Sequence, residues 1–432
     1  MTRKYRFGYD WIVINICLFE DEVYKDLFPI TFMRPAYDLL VGINTIFEKI
    51  YDHFSYTNVS LHCRPELKAL VKSNHPKLPV NQINISANCL FLNGRVILTD
   101  PLIKEFSQLE EDRNYLFTCE GQLVAALANG QILEKLAKLF QGVPDHKKII
   151  HYLRPLCVAK ELKDTRIINN LADLVSLNPE ILKADCAKKY KGGIIKGEVS
   201  PFSAIYNEND VFIDKGSSIE DFVLLNAKNG PIYIEKNVYI ESGSRLEGPL
   251  FIGQNTKILG GKIKSSSIGA HCKIAGEVSD SVFYRYSNKA HAGFVGHSYI
   301  GEWVNLGAQT TTSNLKNNYG SVKINLGAGA IDTGSIFLGS IIGDHAKTGI
   351  STSLNTGTVV GFGANVFGPH LHPKYVAPFS WGTANLYETY QLDKFLETAE
   401  KMMGRRNVEI SKIYKETITY LFSTHVPNPV NT

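Results

Sequence analysis

No run in this sequence reaches the ~18 consecutive apolar residues of a membrane span, which excludes a transmembrane helix. The opening residues, MTRKYRFGYDWIVINICLFEDE, pair a basic start with an apolar patch, as a secretory leader does. Asn15 interrupts that patch, Glu20, Asp21 and Glu22 follow it at once, and there is no small-residue cleavage site. A first β-strand is the better reading. Cysteine is sparse and unpatterned: Cys17, Cys63, Cys89, Cys119, Cys157, Cys186 and Cys272 make an odd, scattered set with no CxxC. That predicts reduced thiols in a cytoplasmic protein and excludes a zinc knuckle; no cysteine has a nucleophile's context. Charge is nearly balanced at +4. This gives no general argument for nucleic acid or membrane binding, and it suits small anionic ligands.

What is present is an ordinary globular composition, 44% hydrophobic and 20% charged over 432 residues. That length suits two or three domains of ~100–200 residues. A short apolar strand is predicted at 11–20, then an amphipathic helix around Ile43, Ile46, Phe47 and Ile50. Strand-like runs follow at 59–62, 89–93, 95–99 and 122–127, with helical patterns at 65–71 and 130–140. This alternation argues for an α/β domain over 1–145 with a largely parallel sheet. Residues 146–197 read as a helical linker, with helix centred on 167–187 and a basic, glycine-containing junction, KKYKGGIIKG.

From Val211 the texture changes. Glycine becomes dense, and Ile234, Ile240, Leu246, Ile252 and Ile258 recur every six residues. Ile268 and Ile274, then Ile300 and Leu306, continue the step. A period of six predicts a triangular parallel solenoid over 198–385, in which each face turns one aliphatic side chain inward. A β-sandwich would show longer and less regular spacing. The rhythm breaks at 282–292 and at 310–335, which predicts insertion loops on a binding face. Residues 386–432 read as two helices interrupted near 404–407, packed on the end of the solenoid, and a disordered tail, VPNPVNT.

The stretch at 286–318, YSNKAHAGFVGHSYIGEWVNLGAQTTTSNLKNN, carries the chemistry. His291 stands between Ala290 and Ala292. An imidazole with an ordinary pKa of ~6.5 is suited to general base work at neutral pH. A lone histidine is more often a corner residue bonded to backbone; the neighbours raise the functional odds. Asn288, Asn305 and Asn314 can bind sugar hydroxyls, and Lys289, Lys316 or Arg285 could neutralise a phosphate. Trp303 is read as covering an inter-subunit groove. The pair His370 and His372, with His345, has no carboxylate or cysteine partner nearby in sequence, so no metal site is assigned.

The run KAHAGFVGHSYIGEWVNLGAQTTTSN resembles the acetyltransferase half of the bifunctional bacterial family that makes UDP-N-acetylglucosamine from glucosamine-1-phosphate. The family's segments match Lys289-Ala290-His291, the run Asn305 to Thr310, and Ser313-Asn314-Leu315, with gapless spacing. The match extends to a variant branch of Bacteroidetes type. Its marks are Thr31-Phe32-Met33-Arg34-Pro35, Asn93-Gly94-Arg95, Ser287 to His291, Thr312 to Asn318 and Gly343 to Ile350. The resemblance covers roughly residues 12–385. It implies a left-handed parallel β-helix, a homotrimer and acetyl-CoA as co-substrate. His291 becomes the base on the sugar amine, and Asn305 and Asn314 become sugar or CoA-site ligands; Asn288, Lys289 and Lys316 stand beside them as substrate-binding candidates from the reading of the residues themselves. Ala308, Lys347, Ser351 and Lys374 become candidates for holding CoA. Three positions depart from the family. Leu315 and Phe294 stand where it has tyrosines, and Ser279 where it has a phosphate-binding lysine.

For the N-terminal domain the resemblance implies nucleotidyl transfer with UTP and Mg²⁺. A standard enzyme of that kind has a glycine-rich loop and a P-K step that cradle phosphates. Here no such loop lies between Glu20 and Pro29, Ala36 replaces the lysine, and Asn93 stands at the expected Mg²⁺-binding aspartate. Arg34, Lys49, Asn93 and Arg95 are the candidates for an anionic nucleotide sugar; Arg34 could instead be structural. Three hypotheses remain: a bifunctional sugar-phosphate acetyltransferase and nucleotidyltransferase, a nucleotidyltransferase or degenerate nucleotide-sugar-binding protein whose β-helix only oligomerises or regulates, and a non-catalytic solenoid scaffold.

Overall fold

The computed structural model describes residues 15–54, 58–110, 112–189, 192–327 and 329–426. Residues 11–14 of the expected first strand and most of the expected tail, 427–432, lie outside them. The chain divides into two units: one reaches to Lys25 and includes Arg34–Leu39 and Asn44–Asn169, the other comprises Asp26–Met33, Leu40–Ile43 and Asn170–Thr432.

The first unit is an α/β domain on a six-stranded sheet, in the order Asn58–His62, Asn15–Phe19, Cys89–Asn93, Gln122–Ala128, Tyr115–Cys119, Val158–Glu161. The sheet is mixed, not largely parallel. The first three strands run parallel, and Gln122–Ala128 is antiparallel to both its neighbours. Strands NICLF, CLFLN and YLFTC are buried at every residue, the pattern of a sheet covered on both faces. The edge strand Val158–Glu161 comes from the stretch read as linker. Residues 95–99 are not a strand. The Asn93 side chain accepts the Arg95 backbone N–H and turns the chain there, and the helix Asp100–Phe106 follows. The helix Ile46–His53 starts on a capping box, in which Thr45 and Glu48 each accept the other's backbone N–H, and buries Ile46, Phe47 and Ile50.

The second unit is a parallel β-solenoid with C-terminal helices. Its strands fall into three faces. One contains Val211–Ile213, Ile232–Ile234, Val282–Phe283, Tyr299–Ile300 and Ile341–Ile342. A second contains Tyr239–Ile240, Lys257–Ile258, Lys273–Ile274 and Asn288–Lys289. The third contains Leu224–Asn226, the first half of Lys262–Ile268, whose second half turns onto the first face, Glu277–Ser279 and Phe294–Gly296. The six-residue step is the step from face to face. Ile234, Ile240, Leu246, Ile252, Ile258 and Ile274 all lie in one buried column. The helix Asn178–Lys189 packs its Leu182 and Cys186 on Phe212, Tyr233 and Phe251 of the early coils.

Two of the expectations for the coils are corrected and one holds. Residues 282–292 are no insertion, because both their strands keep register with the coils on either side. The second break is real. Residues 310–335 leave the coil and carry a small hairpin, Lys323–Asn325 against Ala330–Asp332. Trp303 covers no groove, being 3% exposed. It lies in a corner stack between Tyr286 at 4.1 Å and His345 at 6.4 Å, with His271 beyond Tyr286 at 4.6 Å. Each of the four has φ near +60°. The corner demands the left-handed conformation, and stacking one ring per coil offsets part of its cost.

The C-terminal helices, Leu392–Gly404 and Lys412–His425, lie along the side of the solenoid rather than over its end. Phe395 packs on Phe362 and Phe379 of the last coils, while Arg406, just past the first helix, reaches His271 and Asn288 several coils earlier. The end itself is finished by the antiparallel pair Ser380–Thr383 and Leu386–Thr389.

Candidate functional site

In the inward column of the second face, Ile240, Ile258 and Ile274 are followed in register by Lys289. A lysine thus takes a core position, 2% exposed. Its Nζ donates to the carbonyls of Ala275 at 2.8 Å and His291 at 2.9 Å. Burial holds its pKa down at about 8. Lys289 is therefore no phosphate ligand. It tethers the backbone at the corner where His291 leaves the coil.

The His291 side chain is exposed at that corner. Register places Ala308 one coil on from it, and the Ala308 carbonyl accepts the Ser351 N–H at 2.7 Å. His291, Ala308 and Ser351 thus share one edge. On the outer side of the preceding face, Asn288 donates to Asn305 at 3.4 Å, and Asn305 bridges to Lys347. Lys347 points back to the His345 carbonyl at 3.0 Å, and burial lowers its pKa to about 8.

Asn314 does not join this group. It lies beyond the strand Phe294–Gly296 and donates to His297 Nδ1 at 2.8 Å. His297 also stacks on Phe337 at 4.9 Å and lies 4.0 Å from Asp280, with burial as the main cause lowering its pKa. Sequence reasoning passed over His297 and Asp280. The signal was there, since they stand seventeen residues apart, one coil, both with positive φ. Lys316 belongs to the insertion and donates to the Ser321 carbonyl. Lys374 lies on the first face, away from Lys347; burial and the charge of Lys316 lower its pKa. Arg285 pairs with Glu302 at 2.6 Å. His372 contacts the Tyr387 hydroxyl.

In the first unit, Asn93 and Arg95 are corrections. Both are wholly buried. Arg95 engages all five N–H groups: Nε and one Nη bind the two oxygens of Asp21 at 2.8 and 2.6 Å, and the rest bind Ile168, Asn169 and Gln122. Asn93 donates to Asp21 and the Leu123 carbonyl. Neither has an N–H to offer a nucleotide sugar. Beside them Glu20 binds Arg64 at 2.6 Å and accepts the Ala36 N–H. Arg34 is buried, and Lys49 is partly buried on its helix.

Mg²⁺ does not fit at Asn93, whose amide is fully engaged. Among the described residues, one group comes near metal-ligand spacing: Asp21, Glu22 and His146, with ligand atoms within 4.8 Å of one another. Asp21 is already bound by Arg95 and Asn93, and Glu22 takes the His146 backbone N–H and ring. These oxygens are not arranged as an open octahedral set.

The sheet of the first unit, with Asn93 and Arg95 at the end of its third strand, falls within a match of residues 16–192 to the model of a sugar nucleotidyl transferase. That match takes in less than half of the chain. Two relatives extend the comparison. A bifunctional sugar-1-phosphate nucleotidylyltransferase/acetyltransferase of Sulfurisphaera tokodaii is 33% identical over 171 residues, 37% of this chain and 40% of that one. A bifunctional GlmU protein of Methanocaldococcus jannaschii is 38% identical over 85 residues, 20% of this chain and 21% of that one. The chain therefore matches well under half the length of these relatives. Among solved structures, LpxA from Acinetobacter baumannii overlaps 54% of this chain and 90% of its own at 14% identity, with a TM-score of 0.25. The buried Asp21–Arg95 pair lies within the stretch that matches the sugar nucleotidyl transferase model.

Proposed function

We propose that the solenoid transfers an acetyl group from acetyl-CoA to the amine of an amino-sugar 1-phosphate. The observation that carries this reading is the tethered corner: an exposed His291 whose own carbonyl is held by the buried Lys289. His291 takes the proton as the amine attacks the thioester carbonyl. Backbone N–H groups of a neighbouring coil steady the oxyanion, and the proton passes to the departing thiolate. An acyl-enzyme is unnecessary, since every cysteine but Cys157 is buried and burial raises the thiol pKa of Cys17, Cys63 and Cys272. Names of the bifunctional relatives support the substrate class. The sequence departures at Ser279, Phe294 and Leu315 leave the sugar itself to be assayed, with glucosamine-1-phosphate first.

His291→Ala should lower acetyl transfer by roughly 10²–10⁴-fold with an unchanged melting curve. An unchanged rate sinks the assignment. A homotrimer is part of this reading, because the CoA candidates Lys347 and Lys374 lie on different faces of one chain.

For the first unit we propose nucleotidyl transfer from UTP to the acetylated sugar phosphate, on the family match. The saturated Asn93 and Arg95 favour a second reading, a domain that binds a nucleotide sugar without turning it over. Incubation with UTP, Mg²⁺ and N-acetylglucosamine-1-phosphate separates them: pyrophosphate release supports the first, and binding without release the second.

A further inference from the structure

The outer side of the second solenoid face carries one residue per coil in register: Tyr239, Lys257, Lys273, Asn288, Asn305, Lys347. Neighbouring strands in such a ladder are ~4.8 Å apart. The turn after the helix Leu392–Gly404 lays Arg406 against this ladder, with Arg405 beside it and close enough for its charge to act on Lys273. Arg406 is half-buried and donates to Asn288 Oδ1 at 2.7 Å and to the His271 carbonyl at 3.3 Å. Its guanidinium therefore stands one coil from Lys273 and two from Lys257. Among the described residues, none of Lys257, Lys273, Arg405 and Arg406 has a carboxylate partner within ion-pair distance. Four cations are thus near one another without an ion pair to a carboxylate among the described residues. The strain is visible in Lys273, whose pKa is lowered by burial and then by Arg406, Lys257 and Arg405. His271 shows it too, lowered by burial and then by Arg406 and Arg285. Like charges held together in this way are stabilised by a multivalent anion, and a planar guanidinium fixed by two acceptors is pre-set for phosphate oxygens. The cations that might have served instead are engaged: Lys289 in the core, Lys316 on Ser321, Arg285 on Glu302.

We propose that Lys257, Lys273, Arg405 and Arg406 form a site for the phosphate groups of a pyrophosphate-bearing ligand, laid along this face toward Asn305 and Lys347. Two sources share that chemistry. One is the phosphorylated nucleotide end of the acyl-CoA donor, and this source rests on the acetyl-transfer reading. The other is a free nucleoside diphosphate sugar, and this source does not.

Calorimetry on the full chain tests the site with sodium pyrophosphate, CoA, pantetheine and a uridine diphosphate sugar. Pyrophosphate should bind, and Arg406→Gln and Lys273→Gln should each weaken it on the order of ten-fold, with Arg406→Lys recovering part. Lys257 is exposed, so Lys257→Gln keeps the result readable if Arg406→Gln loosens the helices. Displacement of pyrophosphate by CoA but not by pantetheine assigns the acyl donor; displacement by the nucleotide sugar alone assigns the second source. Binding that is absent for every probe, or equal in wild type and all three Gln variants, overturns the proposal. His291→Ala should bind pyrophosphate normally, so failure of the acetyl-transfer reading is seen separately.

Discussion

A charged Lys289 in a column of isoleucines is costly to stability and useful to the site. Its inward ammonium group is satisfied by two carbonyls, one of them the carbonyl of His291. The folded pKa of about 8 lies below the ~10.4 of an unfolded lysine. Below pH 8 both states are protonated, and the folded chain bears the full cost of the buried charge. Between pH 8 and ~10.4 the unfolded chain holds more protons, so this residue's contribution to stability rises with pH. Buried thiols with raised pKa values act in the opposite sense over the same range. The clean measurement is therefore a difference. We expect Lys289→Met to gain on wild type in denaturant melts below pH 8 and to lose that gain as pH approaches 10. Acetyl transfer should fall in the same variant, because the His291 carbonyl is no longer tethered. A pH-independent difference would remove the charge from this account. The N-terminal ion pairs teach the complementary lesson. Arg95 reads as an anion ligand in sequence, yet Asp21, buried just past the first strand, takes two of its N–H groups, and Ile168, Asn169 and Gln122 take the rest.

Among elements, the solenoid corner gives the sharpest test. His271, Tyr286, Trp303 and His345 come from four coils and share one left-handed conformation. Their stack also receives the C-terminal helices, since His345 Nε2 meets the Tyr414 hydroxyl at 2.7 Å. Trp303→Ala should cost roughly 3–5 kcal/mol in a urea melt, the range for deleting a buried tryptophan. A cost near zero would show that the coils hold the corner without the stack. The helices illustrate how much an element can be read in sequence without its place. Their apolar face was legible from Phe395 and Ala399. Their position along the side of the solenoid was not, because it depends on aromatic residues of coils far away in sequence.

For the whole molecule, the distribution of site residues over faces matters most. His291 lies at one corner, Asn314 beyond the next strand with His297, and Lys374 on the face away from Lys347. One chain does not gather them, which suits a site shared between copies. We expect mixtures of His291→Ala and Asn314→Ala chains, co-refolded, to recover acetyl transfer that neither variant has alone. No recovery in verified mixed oligomers would place the whole site within one chain.

The sequence by itself determined the solenoid and its period, because a six-residue rhythm of aliphatics has one compact solution and the rhythm is local; it put His291 in an insertion loop, and only the structure places it at an exposed corner of a regular coil. It also determined the α/β character of the first unit, through apolar strands alternating with helices. Only the tertiary structure decided what each polar residue faces. Lys289 turns inward because register puts it above Ile274. Arg95 meets Asp21 because two strand ends lie side by side. Arg406 reaches Asn288 across more than a hundred residues of chain. Charge pairing acts through space, and a linear pattern does not encode which distant partner will neutralise a given group.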